Sequence, residues 1–343
     1  MISVGLVGFG LAGRVFHAPL ITHAGMTIVG VVTRQAQAVK EMLPTATVVA
    51  DLEALLQITP LDLVVIATPN EYHAPQASQA LTAGKHVVVD KPLAVSVAQA
   101  GELIALAKRT GRKLAAFQNR RWDSDFLTIR ELIKQGSLGD IVCFEARWDR
   151  FRPQVAERWR EQAGDGSGVL FDIGPHLIDQ ALCLFGMPDW LQADVFAQRA
   201  NAAVDDGFEI RMGKGPLRIS LGVTSLAADN ALRYRLHGVG GSFRKQGLDV
   251  QETQLRQGMS PAAATFGIEP ETQWGCLVAA DQSEKVIPAV RGNWSAFYHA
   301  IRASIESDAP LPVSAHEART ILKIIELARI SSETGQRVDL TVA

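Results

Sequence analysis

The sequence predicts an α/β protein with an N-terminal Rossmann domain, built on a doubly wound parallel sheet, and a C-terminal α+β domain with an open, mostly antiparallel sheet. Three observations support this fold class. A glycine-rich turn joins a strand pattern to a helix pattern near the N-terminus, strands and helices then alternate up to residue 118, and runs of two-faced strands follow. The 343 residues suffice for about two domains. We therefore predict domains at 1–118 and 119–343.

The composition excludes several classes of function. A net charge of −2 provides no basic surface of the kind that binds nucleic acid. Cys143, Cys183 and Cys276 are far apart in the sequence, so neither a disulfide framework nor a thiolate metal site is indicated. No apolar run is long enough to span a membrane, and the N-terminus lacks the basic start of a signal peptide. We expect a cytoplasmic protein with no nucleic-acid or membrane partner and no metal.

The N-terminal stretch indicates a dinucleotide-binding unit. A short apolar strand at residues 2–7 leads into a G-x-G-x-x-G pattern, and a helix at 14–23 and a strand at 26–32 follow it. The residues of this pattern are Gly8, Phe9, Gly10, Leu11, Ala12 and Gly13. Gly8 would allow the tight turn, Gly10 the approach of the backbone to a pyrophosphate, and Gly13 the packing of helix on strand. The helix N-terminus would offer N–H groups to the phosphates.

The rest of the first domain continues the alternation. The predicted strands are 47–50, 61–67, 86–90 and 114–117, and the predicted helices are 35–43, 52–57, 73–83 and 97–109. Ser96 is the expected N-cap of the last helix and Gly111 its stop. This alternation is typical of a parallel sheet with helices on both faces.

The order of helices and strands is different in the second domain. The predicted helices are 125–135, 169–185, 294–306 and 316–334, and the predicted strands are 141–151, 190–198, 208–212, 217–223 and 234–239. The strands alternate apolar and polar residues, which favours an antiparallel sheet with one buried face. Residues 251–292 show the weakest pattern, and we predict a loop-rich excursion there.

The residues after the second strand favour NADP(H) over NAD(H). An NAD site usually has an acidic residue about 20 positions beyond the glycine motif, which binds the ribose 2′-hydroxyl. That position is Thr33, Arg34 follows it, and residues 1–40 contain no Asp or Glu. A hydroxyl and a guanidinium can bind a 2′-phosphate, which a carboxylate would repel. Arg14 and Lys40 could add positive charge. The alternative is that Arg34 is merely exposed after a strand.

Several motifs together resemble the glucose-fructose oxidoreductase, inositol dehydrogenase and rhizopine catabolism (Gfo/Idh/MocA) family. The resemblance covers essentially the whole chain. It rests on the glycine motif, Ala67-Thr68-Pro69-Asn70 with His73, Asp90-Lys91-Pro92, and Asp172 with His176. The family's usual Glu-Lys-Pro is Asp-Lys-Pro here. Residues 117–123 and the pair Trp159-Arg160 most resemble the branch of NADP-dependent scyllo-inositol dehydrogenases, which also holds many oxidoreductases of unassigned substrate.

The resemblance implies a catalytic set of Lys91, Asp172 and His176. Lys91 follows a strand at the carboxyl edge of the sheet, where its cation could stabilise oxyanion charge on a reacting oxygen. By resemblance, His176 is the general acid/base, and Asp172 positions substrate and tunes its neighbours. Asp172 and His176 are four residues apart, so on a helix they would share one face. The plain alternatives are a surface lysine and a helix-surface Asp–His pair.

The resemblance also implies further contacts. Besides the glycine motif, Thr33 and Arg34, nine more residues are expected to contact the cofactor: Thr68, Pro69, Asn70, His73, Asp90, Lys91, Asn119, Trp159 and Arg160. Substrate contacts would come from Lys91, Arg120, Asp172 and His176. Trp159 and Arg160 could wall the nicotinamide, although a Trp-Arg pair is as often packing plus a solvated charge. No pair of histidines or thiolates has the spacing of a catalytic zinc site.

The predicted function is an NADP-dependent dehydrogenase or reductase that acts on a cyclic polyol or sugar, with scyllo-inositol/inosose interconversion as the best single guess. One alternative is reduction of another keto- or aldose-type sugar. Another is a non-enzymatic regulator that binds cofactor and sugar, although such a sensor has no need of a proton-transfer set. The second sheet has an outer face that we expect to be apolar and covered, so we predict a homodimer or homotetramer formed through it.

Overall fold

The computed structural model describes residues 1–157 and 159–340. In these ranges the strands are β1 (Ser3–Val7), β2 (Thr27–Val32), β3 (Thr47–Val49), β4 (Leu63–Ile66), β5 (His86–Asp90), β6 (Leu114–Phe117), β7 (Ile141–Arg147), β8 (Trp190–Phe196), β9 (Gly207–Lys214), β10 (Leu217–Thr224), β11 (Leu232–Gly238), β12 (Gly241–Gln246), β13 (Gly275–Ala279), β14 (Glu284–Ile287) and β15 (Val338–Asp339). The helices are α1 (Ala18–His23), α2 (Ala36–Met42), α3 (Leu52–Leu56), α4 (His73–Thr82), α5 (Val97–Thr110), α6 (Ser124–Lys134), α7 (Val169–Asp172), α8 (Gly174–Phe185), α9 (Gln251–Arg256), α10 (Ser295–Ser307) and α11 (Ala315–Thr334). A π-helix covers Ala12–His17, and 3-10 helices cover Asn70–Tyr72, Asn119–Trp122, Trp159–Glu161 and Glu271–Gln273. No helix in the described ranges is long and apolar enough to cross a membrane.

The first sheet is parallel, with the strand order β3-β2-β1-β4-β5-β6. This confirms the predicted doubly wound Rossmann sheet. Val7 at the end of β1 lies beside Val32 of β2 and Ile66 of β4, so the loops that follow these strands leave from one edge. The strands are buried, β-branched runs, as expected of a sheet covered on both faces. The strand order changes direction between β1 and β4, and ligands bind such sheets at that point.

The second sheet has the order β14-β13-β12-β11-β7-β10-β9-β8-β15. Among its described strands only β7 and β10 pair in parallel, which confirms an open, mostly antiparallel sheet. Helix α8 covers one face, where Phe185 packs edge-on against Phe144 of β7 with ring centroids 5.3 Å apart. Alternate residues of β7 therefore point towards α8 and away from it.

Two predicted segments differ from the structure. The single helix predicted at 169–185 is interrupted at Ile173 and forms α7 and α8. Pro175 explains the interruption, because it lacks the N–H that would continue the α-helical bonding. The loop-rich excursion predicted at 251–292 contains α9, β13 and β14. These strands extend the outer end of the sheet, and β13 is mostly half-buried while β14 is mostly exposed, so the sequence carries no strong hydrophobic alternation there. Strands β12 and β15 were also not predicted.

The chain forms two compact units that are not continuous in sequence. The first contains residues 1–119, 251–266 and 293–322, and the second contains 120–250, 267–292 and 323–343. Arg158 and the end of the predicted second domain, residues 341–343, lie outside the described residues. The domain division at 118/119 stays a prediction.

The outer face of the second sheet carries ion pairs, contrary to the apolar face that we expected. Arg147 binds Glu209 at 2.9 Å, and Arg235 lies 3.4 Å from Glu145. Arg244 of β12 binds Glu284 of β14 at 2.8 Å. These charges are stable in water and need no cover, so this face does not require a partner subunit to bury apolar surface. The homodimer or homotetramer stays a prediction without that support.

Candidate active site

The glycine turn after β1 has the geometry of a phosphate-binding turn. Gly8 adopts a φ of +95°, and a Cβ atom there would lie 2.5 Å from the Ala67 carbonyl oxygen. A Cβ atom on Gly13 would overlap the Gly8 carbonyl oxygen. A Cβ atom on Gly10, by contrast, would have no atom of the described residues within 4 Å. The turn is therefore closed against its own sheet and open at Gly10, which fits the approach of a dinucleotide pyrophosphate.

The other residues of the glycine motif are expected to bind the phosphates through backbone N–H groups more than through their side chains. Phe9 is buried in the core, whereas Leu11 is exposed and Ala12 half-buried. The Arg14 N–H donates to the Gly10 carbonyl at 2.9 Å and thereby closes the first helical turn. The N–H groups of Leu11 and Ala12 lie before that turn, where a helix has no internal acceptors for them.

Thr33 and Arg34 lie where β2 ends, next to the glycine turn. The Gly8 N–H donates to the Val32 carbonyl at 3.0 Å, which ties the two strand ends together. The Thr33 hydroxyl accepts the Gln35 N–H at 3.0 Å and keeps its own hydrogen to donate. Arg34 is exposed, and in the described part of the chain its guanidinium has no hydrogen bond or ion pair. Arg14 and Lys40 are exposed as well.

His73 joins the loops that follow β4 and β5. Its Nε2 lies 2.8 Å from the Thr68 carbonyl oxygen, and its Nδ1 lies 2.7 Å from the Pro92 carbonyl oxygen. Burial lowers the pKa of His73, and the hydrogen bonds to the two carbonyls oppose this shift. Both nitrogens thus face protein carbonyls. The contact of His73 with a cofactor, which the family resemblance implied, stays a prediction.

The neighbouring cofactor residues are mostly enclosed. The Thr68 hydroxyl donates to Gln76 Oε1 at 2.7 Å. Asn70 and Asn119 are buried, and Pro69 is half-buried.

Lys91 follows β5 at the same edge of the first sheet. Its N–H donates to Asp90 Oδ1 at 2.8 Å, and its peptide bond to Pro92 is cis. Asp90 Oδ2 lies 3.9 Å from Nε2 of the fully buried His17, whose Nδ1 is 2.6 Å from the Tyr298 hydroxyl. Burial alone would raise the pKa of Asp90, but the His17 imidazole and the Lys91 charge lower it to about 2. A half-buried carboxylate is thus held ionised directly beside Lys91.

In the second unit, Trp148 brings Arg120 and His176 together. The Trp148 and His176 rings stack with centroids 5.7 Å apart and an interplanar angle of 29°. The Arg120 guanidinium lies 4.6 Å from the centre of the Trp148 ring and 3.4 Å from Asp123. Arg120 and His176 are both buried. Trp148 fixes the plane of the proposed acid/base and was not predicted, because nothing local distinguishes it from a core aromatic.

Asp172 ends α7 and His176 lies in α8, so the two do not share the face of one continuous helix. The pairing that we predicted from the four-residue spacing is corrected in this respect. Asp172 is half-buried and lies 3.3 Å from Arg160 Nε and 3.7 Å from Arg150 Nη1. The Arg160 guanidinium also lies 4.5 Å from the centre of the Trp159 ring. Arg150 links the two groups, because it also lies 5.8 Å from the centre of the Trp148 ring.

The start of α7 is fixed by Asp205. Its Oδ2 accepts the Leu170 N–H at 2.6 Å, and its carbonyl accepts the Val169 N–H at 2.9 Å. Gly168 has a φ of +90°, and any Cβ atom there would overlap the Asp205 carboxylate. A glycine is therefore required at position 168 by this contact.

The structure thus groups the predicted residues within each unit. The first unit gathers the glycine motif, Thr33, Arg34, Thr68, His73, Asp90 and Lys91 along one sheet edge. The second unit gathers Arg120, Trp159, Arg160, Asp172 and His176 around Trp148 and Arg150. Trp148, Arg150 and His17 were not among the predicted site residues. No group of three or more metal-ligating side chains occurs among the described residues.

Comparison with known proteins identifies the family to which the chain belongs. Residues 2–118 match the family model described as "Oxidoreductase family, NAD-binding Rossmann fold", and residues 130–340 match "Oxidoreductase family, C-terminal alpha/beta domain". The uncharacterized oxidoreductase YdgJ of Escherichia coli is 44% identical over 95% of each chain. The scyllo-inositol 2-dehydrogenase (NADP(+)) IolW of Bacillus subtilis is 39% identical over 99% of this chain and 96% of its own.

The solved structure of the oxidoreductase yvaA from Bacillus subtilis superimposes with a TM-score of 0.96. It is 39% identical and covers 99% of this chain and 98% of its own. Both matched family models and these full-length relatives show that the chain belongs to the Gfo/Idh/MocA oxidoreductase family, with a Rossmann domain for a nicotinamide cofactor.

Proposed function

We propose that this oxidoreductase uses NADP(H) to interconvert a secondary alcohol and a ketone on a cyclic polyol or sugar. The observation that carries the proposal is the carboxyl edge of the first sheet. There the glycine turn is open at Gly10, and Arg34, which has no side-chain partner among the described residues, follows β2 where an NAD enzyme would usually have an acid. Lys91 leaves from the same edge.

The roles of the protein side chains follow from their chemistry. When bound, the nicotinamide would supply or accept the hydride. Lys91 would donate a hydrogen bond to the reacting oxygen and stabilise its negative charge. His176 would hold or release the hydroxyl proton, with its ring plane fixed by Trp148. Asp172 would orient the substrate through its carboxylate.

The preference for NADP(H) rests on charge. A 2′-phosphate near Thr33 would meet one hydroxyl donor and the exposed guanidinium of Arg34, with Arg14 and Lys40 as more distant cations. Arginine binds phosphate through paired N–H groups, and this contact is charge-assisted. The first acidic residue of the chain is Glu41, which lies beyond the loop and accepts from Gln37.

A cofactor exchange tests this preference. We expect the parent protein to have a kcat/KM at least about tenfold higher with NADP(H) than with NAD(H), as one charge-assisted contact implies. The double variant Thr33→Asp/Arg34→Ala should reverse that order, because it installs a carboxylate and removes the cation. The variant Arg109→Ala, in an exposed helical position, is the control. A parent protein that prefers NAD(H) would contradict the proposal.

The substrate is tested with a panel. The name of the Bacillus subtilis relative makes scyllo-inositol the first compound to assay, followed by other inositols and keto- or aldose sugars. Formation of reduced nicotinamide is followed by absorbance. Turnover of a hexose in preference to every inositol would favour the alternative sugar reductase. Binding of cofactor and sugar without turnover across the panel would favour a regulator.

A further inference from the structure

The π-helix that follows the glycine turn places a histidine beside Asp90. It spans Ala12–His17, so it begins inside the glycine motif and ends at that histidine. The Ala18 N–H donates to the Gly13 carbonyl, five residues back. Pro19 has no N–H to donate, and its ring crowds the preceding turn, so a regular α-helix cannot run through this point. Single π-helical turns are rare and are frequent at functional sites.

His17 is completely enclosed within the first unit. Its ring centroid lies 4.3 Å from that of Phe117 at the end of β6, and its Nδ1 lies 2.6 Å from the Tyr298 hydroxyl of α10. Its Nε2 lies 3.9 Å from Asp90 Oδ2 and has no hydrogen bond among the described residues. Buried nitrogens without a hydrogen bond are rare in folded proteins, so a position beside a carboxylate needs an explanation.

The Tyr298 hydroxyl determines which nitrogen of His17 carries the hydrogen. Tyr298 is fully buried, and His17 Nδ1 is the hydrogen-bond partner of its hydroxyl in the described part of the chain. The hydroxyl hydrogen is satisfied when it is donated to Nδ1, so a neutral ring then carries its own hydrogen on Nε2. That N–H faces the Asp90 carboxylate, which would repel a lone pair in the same place.

Asp90 connects His17 to Lys91. Its Oδ1 accepts the Lys91 N–H at 2.8 Å, while its Oδ2 faces His17, so both oxygens are held. The backbone from which the Lys91 side chain leaves is held with them. Burial raises the pKa of Asp90, and His17, Lys91 and His73 lower it, while the Tyr298 hydroxyl interacts with the same carboxylate. Removal of His17 should therefore raise the pKa of Asp90.

We propose that His17 is a positioning residue that acts through Asp90 to hold Lys91 in place for stabilising the reacting oxygen. This inference rests on the proposed oxidoreductase function and adds a residue to it. His17 ends the π-helix that begins in the glycine motif. The same short segment thus provides part of the phosphate-binding turn at one end and the support of the lysine at the other. Support of this kind matters because small displacements of a catalytic group cost much of its rate.

Kinetics of two His17 variants test this role. His17→Leu removes the N–H, whereas His17→Gln keeps an amide N–H donor. We expect His17→Leu to lower kcat about tenfold or more, as loss of one hydrogen bond to a charged group implies, and to change the Kd for NADP(H) less than about threefold. The acid limb of its pH–rate profile should move to higher pH, because the pKa of Asp90 rises. His17→Gln should restore most of both properties. His23→Leu, at an exposed position of α1, is the matched control.

Urea unfolding at pH 6 provides a measurement that does not depend on turnover. The double variant His17→Leu/Asp90→Asn should lose less stability than the sum of the two single variants, because both remove the same contact. Additive losses would overturn the proposal. A His17→Leu protein with the parent's kcat and pH–rate profile would overturn it too, as would failure of His17→Gln to restore activity.

Tyr298→Phe serves as a second test if His17→Leu does not fold. It removes only the hydroxyl that sets the tautomer of His17, and it should move the acid limb in the same direction. An unchanged acid limb in this variant would overturn the proposal. Non-additive stability together with no turnover by the parent on any sugar would refute the proposed function, and with it the role of Lys91, and would leave the contact of His17 with Asp90 standing.

Discussion

Asp90 links the charge of the proposed site to the stability of the fold. Its pKa is about 2 in the folded protein, against an ordinary value of 3.8. A carboxyl group with a lowered pKa stabilises the fold at pH values above its ordinary pKa, and this contribution is lost as the pH falls towards the folded-state value. The interval between these two values corresponds to about 2 kcal/mol.

The variant Asp90→Asn should therefore lower the free energy of unfolding by about 2 kcal/mol at pH 6. The difference from the parent should shrink as the pH falls below 4. Urea unfolding at pH 6, 4 and 3 measures it, with the exposed Asp165→Asn as control. A difference that stays constant over this range would mean that the Asp90 charge does not contribute.

His176 should carry the pH dependence of the reaction. We expect His176→Gln to lower kcat by about 100-fold or more, as loss of a general acid/base does, and to remove the corresponding limb of the pH–rate profile. His237→Gln, at an exposed position on β11, is the control. If the variant keeps parental turnover at neutral pH, then His176 has no role in proton transfer.

Single residues were predicted only where a motif marks them. The glycine pattern and Asp90-Lys91-Pro92 are contiguous, so the sequence shows them directly. The contact of His17 with Asp90 and Tyr298 joins positions far apart in the chain, and a lone histidine in a helix carries no sign of it. The proximity of Arg150 to Asp172 likewise arises only when α7 brings the two together.

At the scale of elements, different glycines of the turn are needed for the stability of the fold and for cofactor binding. We expect Gly10→Ala to keep the parental melting temperature, because the new methyl group meets only open space, and to raise the Kd for NADP(H) about tenfold or more. Gly13→Ala should instead destabilise the fold by about 1–3 kcal/mol, since its methyl group would overlap the Gly8 carbonyl. Thermal unfolding and fluorescence titration measure both. Equal loss of stability in the two variants would contradict this division.

Elements with a strong local signal were predicted well. Ser96 caps α5 by accepting the Gln99 N–H at 3.2 Å, and Gly111 ends the helix in the left-handed conformation, both as expected. The interruption between α7 and α8 was missed although Gly174-Pro175 signals it, because the apolar pattern continues across the break. The strands β13 and β14 were missed because β13 is mostly half-buried and β14 mostly exposed, so burial imposes no strong alternation of apolar and polar residues on them.

At the scale of the molecule, the first unit includes segments from late in the sequence. Phe117 at the end of β6 packs edge-on against Phe297 of α10, with ring centroids 4.9 Å apart. His17 contacts Tyr298 of the same helix. We therefore expect a fragment of residues 1–118 to expose this apolar surface and to lose cooperative unfolding.

Circular dichroism and urea unfolding of that fragment provide the measurement, and a fragment in which residues 293–322 are joined to it by a flexible linker is the comparison. The longer fragment should regain a sharp transition. Cooperative unfolding of residues 1–118 alone would show instead that the predicted boundary at 118/119 delimits an independent domain.

The position of α10 in the sequence has a consequence for biosynthesis. The ribosome makes the glycine turn first, but the helix that encloses His17 is translated only after most of the second sheet. During synthesis the apolar surface of the N-terminal part therefore stays exposed until α10 has been translated. Incompletely folded chains with such exposed surface are prone to aggregate. Cofactor capture should accordingly follow the completion of translation, and α10 is the segment whose arrival permits it.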